Sequence, residues 1–561
     1  MNIIINGKKI KTKQGKTILS VAKENGFFIP TLCYHPDLEN KANCRICVVE
    51  VIDKKGKKRL VASCATEIEE GWQIKTETEE IRKLRKTNLE LLFSQHQEKC
   101  SDCYYNFSCD FKQMAKEYKA DISRFQDRKK GKTIYNFGNV LSFDSSKCID
   151  CGNCVEMCQK QAVKYLETDE KQGFFEVVPS RHRQCIYCGQ CLTHCPVGAF
   201  EAKDDCKTVE KTLKNKKKTV VFQFAPAIRT TLGEEFGMKL GQVVTGKLVA
   251  AIRALGCEYV FDVSVGADFT TYEEANELLE KLTNKKPKIL LSSCCPSWVR
   301  FLELYFPEFV GNLSHARPPH IISGGLIKTY FAQKQGLNPK DIVVVSVMPC
   351  VAKKYEIERK ELLVGDLKPV DYVLTTSELA LMLKKQNINL NKMASSKCDE
   401  PLGIPSGAGV IYGASGGVME SALRMAFWKA EKRALPKIIY EQVRGQEQIK
   451  KAVIKIKGKT IKMAAVSGTG AAKEILEELK QNPNAYSCVE VMACWGGCVG
   501  GGGQPLPTNK FIRAKRAQGL YAIDNKNALK IPSENPIVKK IYKDFLKTQA
   551  TRQQLCQAKY K

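Results

Sequence analysis

Along the first 30 residues the apolar positions fall in short runs cut by turn formers. NIIING, KKIKTK and QG read as a β-hairpin, and TILSVAKENG as a short helix after it. Residues 80–95, EIRKLRKTNLELLFSQ, carry apolar side chains at helical spacing and predict an amphipathic helix. The polar, basic stretch 127–135 (DRKKGKTIY) reads as a linker, and 204–218 (DDCKTVEKTLKNKKK) as a second boundary. Beyond residue 218 the texture changes. Short β-branched runs (TVVFQF 219–224, YVFDV 259–263, KILLSS 288–293, DIVVVSV 341–347, KMAAVSG 462–468) alternate with helical stretches. That pattern predicts α/β layers built on parallel sheets.

The chain has 561 residues, 43% hydrophobic and 27% charged. Such a length and balance suit several soluble globular domains and exclude disordered, collagen-like or coiled-coil chains. No apolar run approaches the ~18–20 residues of a membrane span, and the N-terminus lacks the apolar stretch and cleavage site of a secretory leader. The expected address is the cytoplasm. Two totals stand out: 25 cysteines, and a formal charge of +29. In a large chain without a leader, cysteines point to bound metal before disulfides. Cluster-bound thiolates would cancel part of the positive charge. Lysine runs at 54–59 and 212–218 read as solvated surface, or as a dock for an acidic electron carrier. No helix-turn-helix, RRM or zinc-finger pattern supports nucleic-acid binding.

Fifteen of the 25 cysteines precede residue 196, in clusters. Cys33, Cys44, Cys47 and Cys64 follow C-x10-C-x2-C-x16-C, a tight pair with two distant partners, as in plant-type [2Fe–2S] sites. Four thiolates also suit zinc, but the hairpin-plus-helix context favours iron–sulfur. His96, Cys100, Cys103 and Cys109 follow H-x3-C-x2-C-x5-C and could surround one zinc ion or one cubane; the iron–sulfur neighbours favour the cubane. Two runs of the bacterial ferredoxin type follow, Cys148-x2-Cys151-x2-Cys154-x3-Cys158 and Cys185-x2-Cys188-x2-Cys191-x3-Cys195-Pro196, the first without its trailing proline. In such pairs the fourth cysteine crosses to the other cluster. One [4Fe–4S] is therefore expected on Cys148, Cys151, Cys154 and Cys195, and another on Cys185, Cys188, Cys191 and Cys158. Four one-electron carriers in series imply a reaction centre to be wired.

The second half holds three further motifs, each after a β-rich run: Ser293-Cys294-Cys295-Pro296-Ser297-Trp298, Met348-Pro349-Cys350-Val351-Ala352-Lys353, and Met492-Ala493-Cys494-Trp495-Gly496-Gly497-Cys498 leading into VGGGGQP. Four of these five cysteines suffice for another cubane, with one spare. Glycines across 496–503 let the backbone approach a bulky cofactor. The stretch TTYEEANELLEKL (270–282) predicts a helix capped by Thr270, with Glu273 completing a capping box. Glu274, Glu277 and Lys281 would share one face, which read alone is a solvated acidic surface.

SSCCPSW, MPCVAKKYE and EVMACWGGCVGGGGQP resemble the three H-cluster signatures of the [FeFe]-hydrogenases. SGAGVIYGASGGVMESALR (406–424) is similar to another family segment, with tight packing around the cofactor its expected role. With the N-terminal clusters, the resemblance to the long clostridial type covers nearly the whole chain. It implies a multidomain α+β and α/β protein. A β-grasp [2Fe–2S] ferredoxin-like domain would span 1–79. A [4Fe–4S] domain with one His and three Cys ligands would span 80–126, a 2[4Fe–4S] ferredoxin domain 138–205, and a two-lobed H-cluster domain 218–561.

The implied reaction is 2H⁺ + 2e⁻ ⇌ H₂. The implied cofactors are one [2Fe–2S], three accessory [4Fe–4S] and the H-cluster, a [4Fe–4S] bridged to a diiron unit carrying CO, CN and azadithiolate. By resemblance Cys295, Cys350, Cys494 and Cys498 hold the cubane, and Cys498 bridges to the diiron unit. Lys353 donates to a cyanide. Ala225, Pro226, Ala227, His320, Met348 and Met492 line the pocket. Cys294 is the proton donor, with Glu274, Ser314 and Glu277 leading outward. The chain departs from the family at Ser292 (often Thr), His320 (often Gln), Ala227 (often Ser) and Lys281 (often Arg). Implied partners are ferredoxin or flavodoxin, or NAD(P)-oxidising subunits, together with hydrogenase maturation proteins. The rival readings are an H₂ sensor or low-activity relative, the H₂-activating subunit of an NAD(P)-linked complex, a respiratory iron–sulfur subunit, and an iron–sulfur assembly scaffold. Intact Cys294, the three C-terminal motifs and the 33–64 site respectively argue against the sensor, the respiratory subunit and the scaffold. Cys206, Cys257, Cys398, Cys488 and Cys556 carry no assigned role, and most of them read as small buried hydrophobes.

Overall fold

The computed structural model describes residues 1–560 other than 97–102, 104–108, 172–173, 284–287 and 437–442. The N-terminal hairpin forms as expected, with strands β1 (Asn2–Ile5) and β2 (Lys8–Lys11) and a helix at Ile18–Glu24 capped by Thr17. Strands β3 (Val48–Ile52), β4 (Lys58–Ala62) and β5 (Gln73–Lys75) complete a five-stranded sheet of order β2-β1-β5-β3-β4, parallel only at β1–β5. Ile3, Ile5, Val49, Val51 and Ile74 point inward from the strands and pack with Ile18 of the helix to form its core.

The amphipathic helix runs Glu79–Phe93 with Thr78 as its cap. Its buried Arg85 donates to the carbonyls of Ile46, Val48 and Thr76, which joins it to the first sheet. The expected linker at 127–135 is instead an ordered seam. Lys129 is buried and donates to Cys148 O and to Asp150, and β6 (Ile134–Phe137) begins within the stretch. Here paired lysine charge is used inside the protein, which polarity along the sequence does not reveal. Strands β7 (Leu141–Asp144), β8 (Leu166–Lys171), β9 (Phe174–Pro179) and β10 (Phe200–Ala202) frame the two ferredoxin-type runs. The second boundary, 204–218, is also ordered. It forms a helix at Cys206–Leu213 whose Cys206 and Val209 lie in the large core of the following domain.

The C-terminal half contains β11 (Thr219–Phe224), β12 (Tyr259–Asp262), β13 (Leu290–Leu291), β14 (Ile342–Met348), β15 (Tyr372–Thr375), β16 (Ile449–Ile456), β17 (Lys459–Ser467) and β18 (Cys488–Met492). One sheet has the order β12-β11-β14-β15 and is parallel throughout. The other has the order β13-β18-β17-β16 and is parallel except at the β16–β17 hairpin. That hairpin departs from the all-parallel expectation. Its signature is the alternating burial of IKKAVIKI and a turn in which Lys457 and Gly458 both take positive φ. Helix Val263–Thr283 packs against helices Pro319–Leu326 and Gly417–Glu431.

In open α/β sheets, sites form beyond the carboxyl ends of parallel strands. Four strands deliver the sequence motifs to one such place. β11 leads into Ala225-Pro226, β13 toward Cys294-Cys295, β14 into Pro349-Cys350 and β18 into Ala493-Cys494.

Candidate functional site

The five cysteines of the C-terminal motifs converge. The sulfurs of Cys295, Cys350, Cys494 and Cys498 lie close enough to influence one another's ionisation. Burial pushes the Cys350 thiol up to about 12, and the others also upward. Thiols gathered in a dry site ionise only with a compensating cation, so this donor set suits a metal cluster. The backbone around it is shaped to leave room. A Cβ at Gly501 would stand 2.1 Å from Pro349 O, and one at Gly497 would stand 2.5 Å from Ser415 N. Gly497 also has φ +90°. Only hydrogen fits at these positions, so the loop can close over a bulky group.

Cys294 and Cys498 pack against Ala267, Tyr412, Val418 and Met492 in one apolar cluster. Ala227 is fully buried in the adjoining cluster, on which Cys498 also packs. Ala225 N donates to Val347 O, so Ala225, Pro226 and Met348 continue two neighbouring strands. Lys353 Nζ donates to Cys294 O at 3.0 Å and to Glu356 Oε2 at 2.7 Å. His320 Nε2 lies 2.5 Å from the same carboxylate oxygen, and Ser346 Oγ lies 3.4 Å from its Nδ1. Burial pulls the Lys353 ammonium down, but the Glu356 charge outweighs it and its pKa rises. Burial and the Lys353 charge together lower His320, keeping it neutral. The histidine therefore donates to Glu356, and Glu356 anchors the lysine at the pocket.

Helix Val263–Thr283 begins about two turns before the expected cap. Thr270 is interior, its hydroxyl donating to Arg317 O, and Glu273 meets Tyr542 and Gln557, so no capping box forms. The apolar, small residues VSVGADF carry the helix upstream through the core, where packing overrides a local cap signal. Glu274 is buried. Burial, then Glu277 and Glu490, push its carboxyl well above the ordinary range, and among the described residues its Oε1 has no partner. Cys294 is likewise raised by burial and by Glu274. Ser314 is fully buried, its Oγ accepting from Ala316 N at 3.1 Å and its amide donating to Leu291 O. Glu277 Oε1 accepts from His315 N at 2.9 Å and stands 3.0 Å from His315 Nδ1. Lys281 turns aside to Ile289 O. The solvated acidic face read from the sequence is thus half wrong: Glu274 is interior, and Glu277, close enough to raise it, bonds the half-exposed His315.

In the N-terminal sites, Cys33 and Cys44 exchange amide-to-sulfur contacts of 3.4 and 3.5 Å. The Cys64 thiol holds Cys47 down at about 7, and the Cys33 thiol holds Cys44 at about 6. Cys151 lies close enough to influence Cys33, and Asn153 Nδ2 spans Cys33 O and His194 O. His96 Nδ1 stands 2.7 Å from Lys147 O, leaving Nε2 for a metal, and Lys147 feels the Cys103 sulfur. Cys109 caps helix Asp110–Glu117, and Cys100 lies outside the described residues. The dicluster cysteines Cys148, Cys151, Cys154 and Cys195 influence one another, as do Cys158, Cys185, Cys188 and Cys191, in the crossed pattern. Cys494 Sγ reaches to 3.7 Å from Cys188 O, and a Cβ at Gly502 would stand 2.7 Å from Gly189 Cα. Gln161 adds a latch between the same modules, Nε2 donating to Ala493 O and Oε1 accepting from Thr469 N.

Sequence reasoning missed Tyr412, Glu356 as an anchor, His315 and Gln161. Only Glu356 had a signal, its place at the end of MPCVAKKYE; the others are brought in by distant segments. Of the cysteines without a role, Cys206, Cys257, Cys488 and Cys556 are buried in apolar cores. Cys398 is partly exposed.

Comparison with known proteins adds an independent line. A family model described as "Iron only hydrogenase large subunit, C-terminal domain" matches residues 218–502, and one described as "Iron hydrogenase small subunit" matches 510–555. A 2Fe–2S iron–sulfur cluster binding domain model matches 1–79, and a 4Fe–4S dicluster domain model 147–199. The chain is 38% identical to iron hydrogenase 1 of Clostridium pasteurianum, over 97% of this chain and 96% of that protein. It is also 38% identical to the NADP-reducing hydrogenase subunit HndD of Solidesulfovibrio fructosivorans, with the same coverage. A solved structure of the [FeFe]-hydrogenase HydA(deltaEFG) superposes with a TM-score of 0.56 at 33% identity, covering 63% of this chain and 98% of that one.

Proposed function

The chain belongs to the iron-only hydrogenase family and is an oxidoreductase acting on H₂; from that premise we propose that it interconverts protons and H₂ reversibly, fed by four accessory iron–sulfur clusters. The observation that carries the reading is the meeting of Cys294 and Cys498 in one apolar cluster, beside Glu274 and Lys353. Cys295, Cys350, Cys494 and Cys498 would hold the H-cluster, whose diiron unit supplies the chemistry of H–H bond formation and cleavage.

The protein's own contribution is positional and protonic. Burial pushes the pKa of both Cys294 and Glu274 well above its ordinary value, which favours their neutral, proton-carrying forms. Neutral donors in series pass a proton without first separating charge in a dry site. Glu277 and His315 form the outer station, His315 being half-exposed and drawn upward by the Glu277 carboxylate. Ser314 stands between the two glutamates by resemblance, and its neighbour His315 supplies the contact to Glu277. Lys353, anchored by Glu356, sets an ammonium at the pocket wall for an anionic ligand.

Electrons would pass from the 33–64 site and the 96–109 site into the dicluster module, and from Cys188 to Cys494. The short contacts at Asn153, His96 and Gly189–Gly502 support that course. No helix among the described residues is long and apolar enough to cross a membrane, which suits a cytoplasmic enzyme.

H₂ evolution from reduced viologen tests the reading, with protein matured anaerobically and iron-replete. Fast evolution is expected in the wild type, with Cys294→Ala lowering it by about 10²–10⁴-fold. Negligible evolution from iron-replete wild type would overturn it in favour of a sensor. A second reading, an H₂-activating subunit of an NAD(P)-linked complex, rests on the near full-length similarity to an NADP-reducing hydrogenase subunit. Turnover with purified ferredoxin that weakens as salt rises favours the ferredoxin-linked form. Dependence on a co-purifying subunit favours the other.

A further inference from the structure

A cleft of about 550 Å³ opens where three modules meet, between the loop after Cys33, the Thr193–Gly198 turn and the Leu506–Asn509 segment. At its floor His194 is 3% exposed. Its Nδ1 stands 2.8 Å from Gln190 O, so that nitrogen carries the proton and donates. Nε2 is then a bare lone pair, and among the described residues it has no partner. A buried acceptor without a donor is uncommon and calls for an explanation.

The neighbouring groups supply one. The His35 ring lies over His194 with centroids 4.2 Å apart. His35 Nε2 is 2.9 Å from Thr508 O and must donate to it. Its Nδ1 is therefore the second lone pair, accepting from Asp37 N at 3.2 Å. One ligand atom each from His35, Asp37 and His194 lie within 4.8 Å of one another. Each imidazole has its far nitrogen tied to a backbone carbonyl, the arrangement that orients metal-binding histidines. We infer that His35, Asp37 and His194 form a binding site for one divalent transition-metal ion of the zinc type, distinct from the iron–sulfur sites.

Two nitrogens and one carboxylate suit zinc and its neighbours better than calcium or magnesium, which prefer all-oxygen shells. Asp37 also holds Arg513 Nη1 at 2.6 Å and accepts from Lys510 N at 3.3 Å. Its charge is therefore already balanced, and the ion is drawn in by the two neutral imidazoles more than by net charge. The open side of the cleft leaves room for water in the remaining positions. An ion there would tie the first module to the dicluster module, with the helix Lys510–Lys526 held through the Asp37–Arg513 pair.

Zinc is the probe. Iron-replete holoenzyme is treated with EDTA, desalted, given stoichiometric Zn²⁺ and desalted again; metal analysis and the zinc absorption edge are then read. One zinc per chain is expected, with a nitrogen/oxygen shell at ~2.0 Å and no sulfur. His35→Gln and Asp37→Asn should each weaken retention by about 10–100-fold with iron content unchanged. Absence of retained zinc in the wild type overturns the site. So does a sulfur shell, or retention unchanged in both variants. His35→Gln alone decides where Asp37→Asn disturbs the Arg513 contact enough to lower iron content.

Discussion

His315 shows how a single side chain couples the interior to water. Its pKa is raised above the ordinary 6.5, chiefly by its hydrogen bond to Glu277. A group raised on folding adds stability below its unfolded value, and that contribution fades as pH climbs through the folded value. The thermal midpoint of the wild type should therefore exceed that of His315→Asn below pH 6.5. The gap should close as pH rises past the folded value, and scanning fluorimetry across pH 5–9 reads it. A constant difference would show that the imidazolium is not the source. Nothing in the sequence singled out His315, because its partner lies 38 residues away on another element. Glu274 was legible as a helix-face residue, but its burial was not. Burial depends on the packing of helices Pro319–Leu326 and Gly417–Glu431 against its own helix. The cysteines were legible because ligand spacing along a loop is a local property, whereas hydrogen-bond partners are not.

Among the elements, the glycine-rich loop after β18 is the most constrained. Gly501 has an ordinary extended backbone, with φ −64° and ψ 156°, so strain is not its reason. The reason is Pro349 O, 2.1 Å from where a Cβ would sit. Gly501→Ala must push the Cys498 loop away from the Cys350 loop. Activity should fall by about a hundredfold, the scale that follows misplacement of ~1 Å at a reacting centre, and metal analysis should show iron missing. An iron-replete, fully active variant would refute the fit. The β16–β17 hairpin went unread because Lys450 is buried and Val453 exposed, which breaks the apolar–polar alternation along IKKAVIKI, while the helix at 270–282 was read too short. Thr270 and Glu273 match a capping pattern by sequence, but a buried VSVGADF segment carries the helix past them. Local signals mark where a helix could start; the core decides where it does.

Across the whole molecule, the modules are joined by polar latches and by main chain in direct contact. Gln161 satisfies Ala493 O and Thr469 N at once. Gln161→Leu leaves both unpartnered in a buried seam, at about 1–3 kcal/mol for each group. The temperature of irreversible inactivation should fall accordingly, with activity at low temperature retained. The Gly189–Gly502 contact lies between the last dicluster site and the catalytic thiols, and a Cβ at Gly502 would meet Gly189 Cα at 2.7 Å. Gly502→Ala should therefore slow dye-linked turnover while leaving H/D exchange, which needs no external electrons, nearly intact. Equal loss of both would place the defect at the active site instead.

That contact has a consequence for how such a molecule can be divided. Where two modules meet through side chains, cutting one away strands an oily scar on the other. Here the facing glycines are ringed by oily side chains from both sides: Val163 and Ile186 share a buried core with Leu291 and Trp298, and Val351 shares one with Leu192 and Val197. Severing the joint would wet that surface on both halves. The wiring therefore doubles as part of the engine's casing.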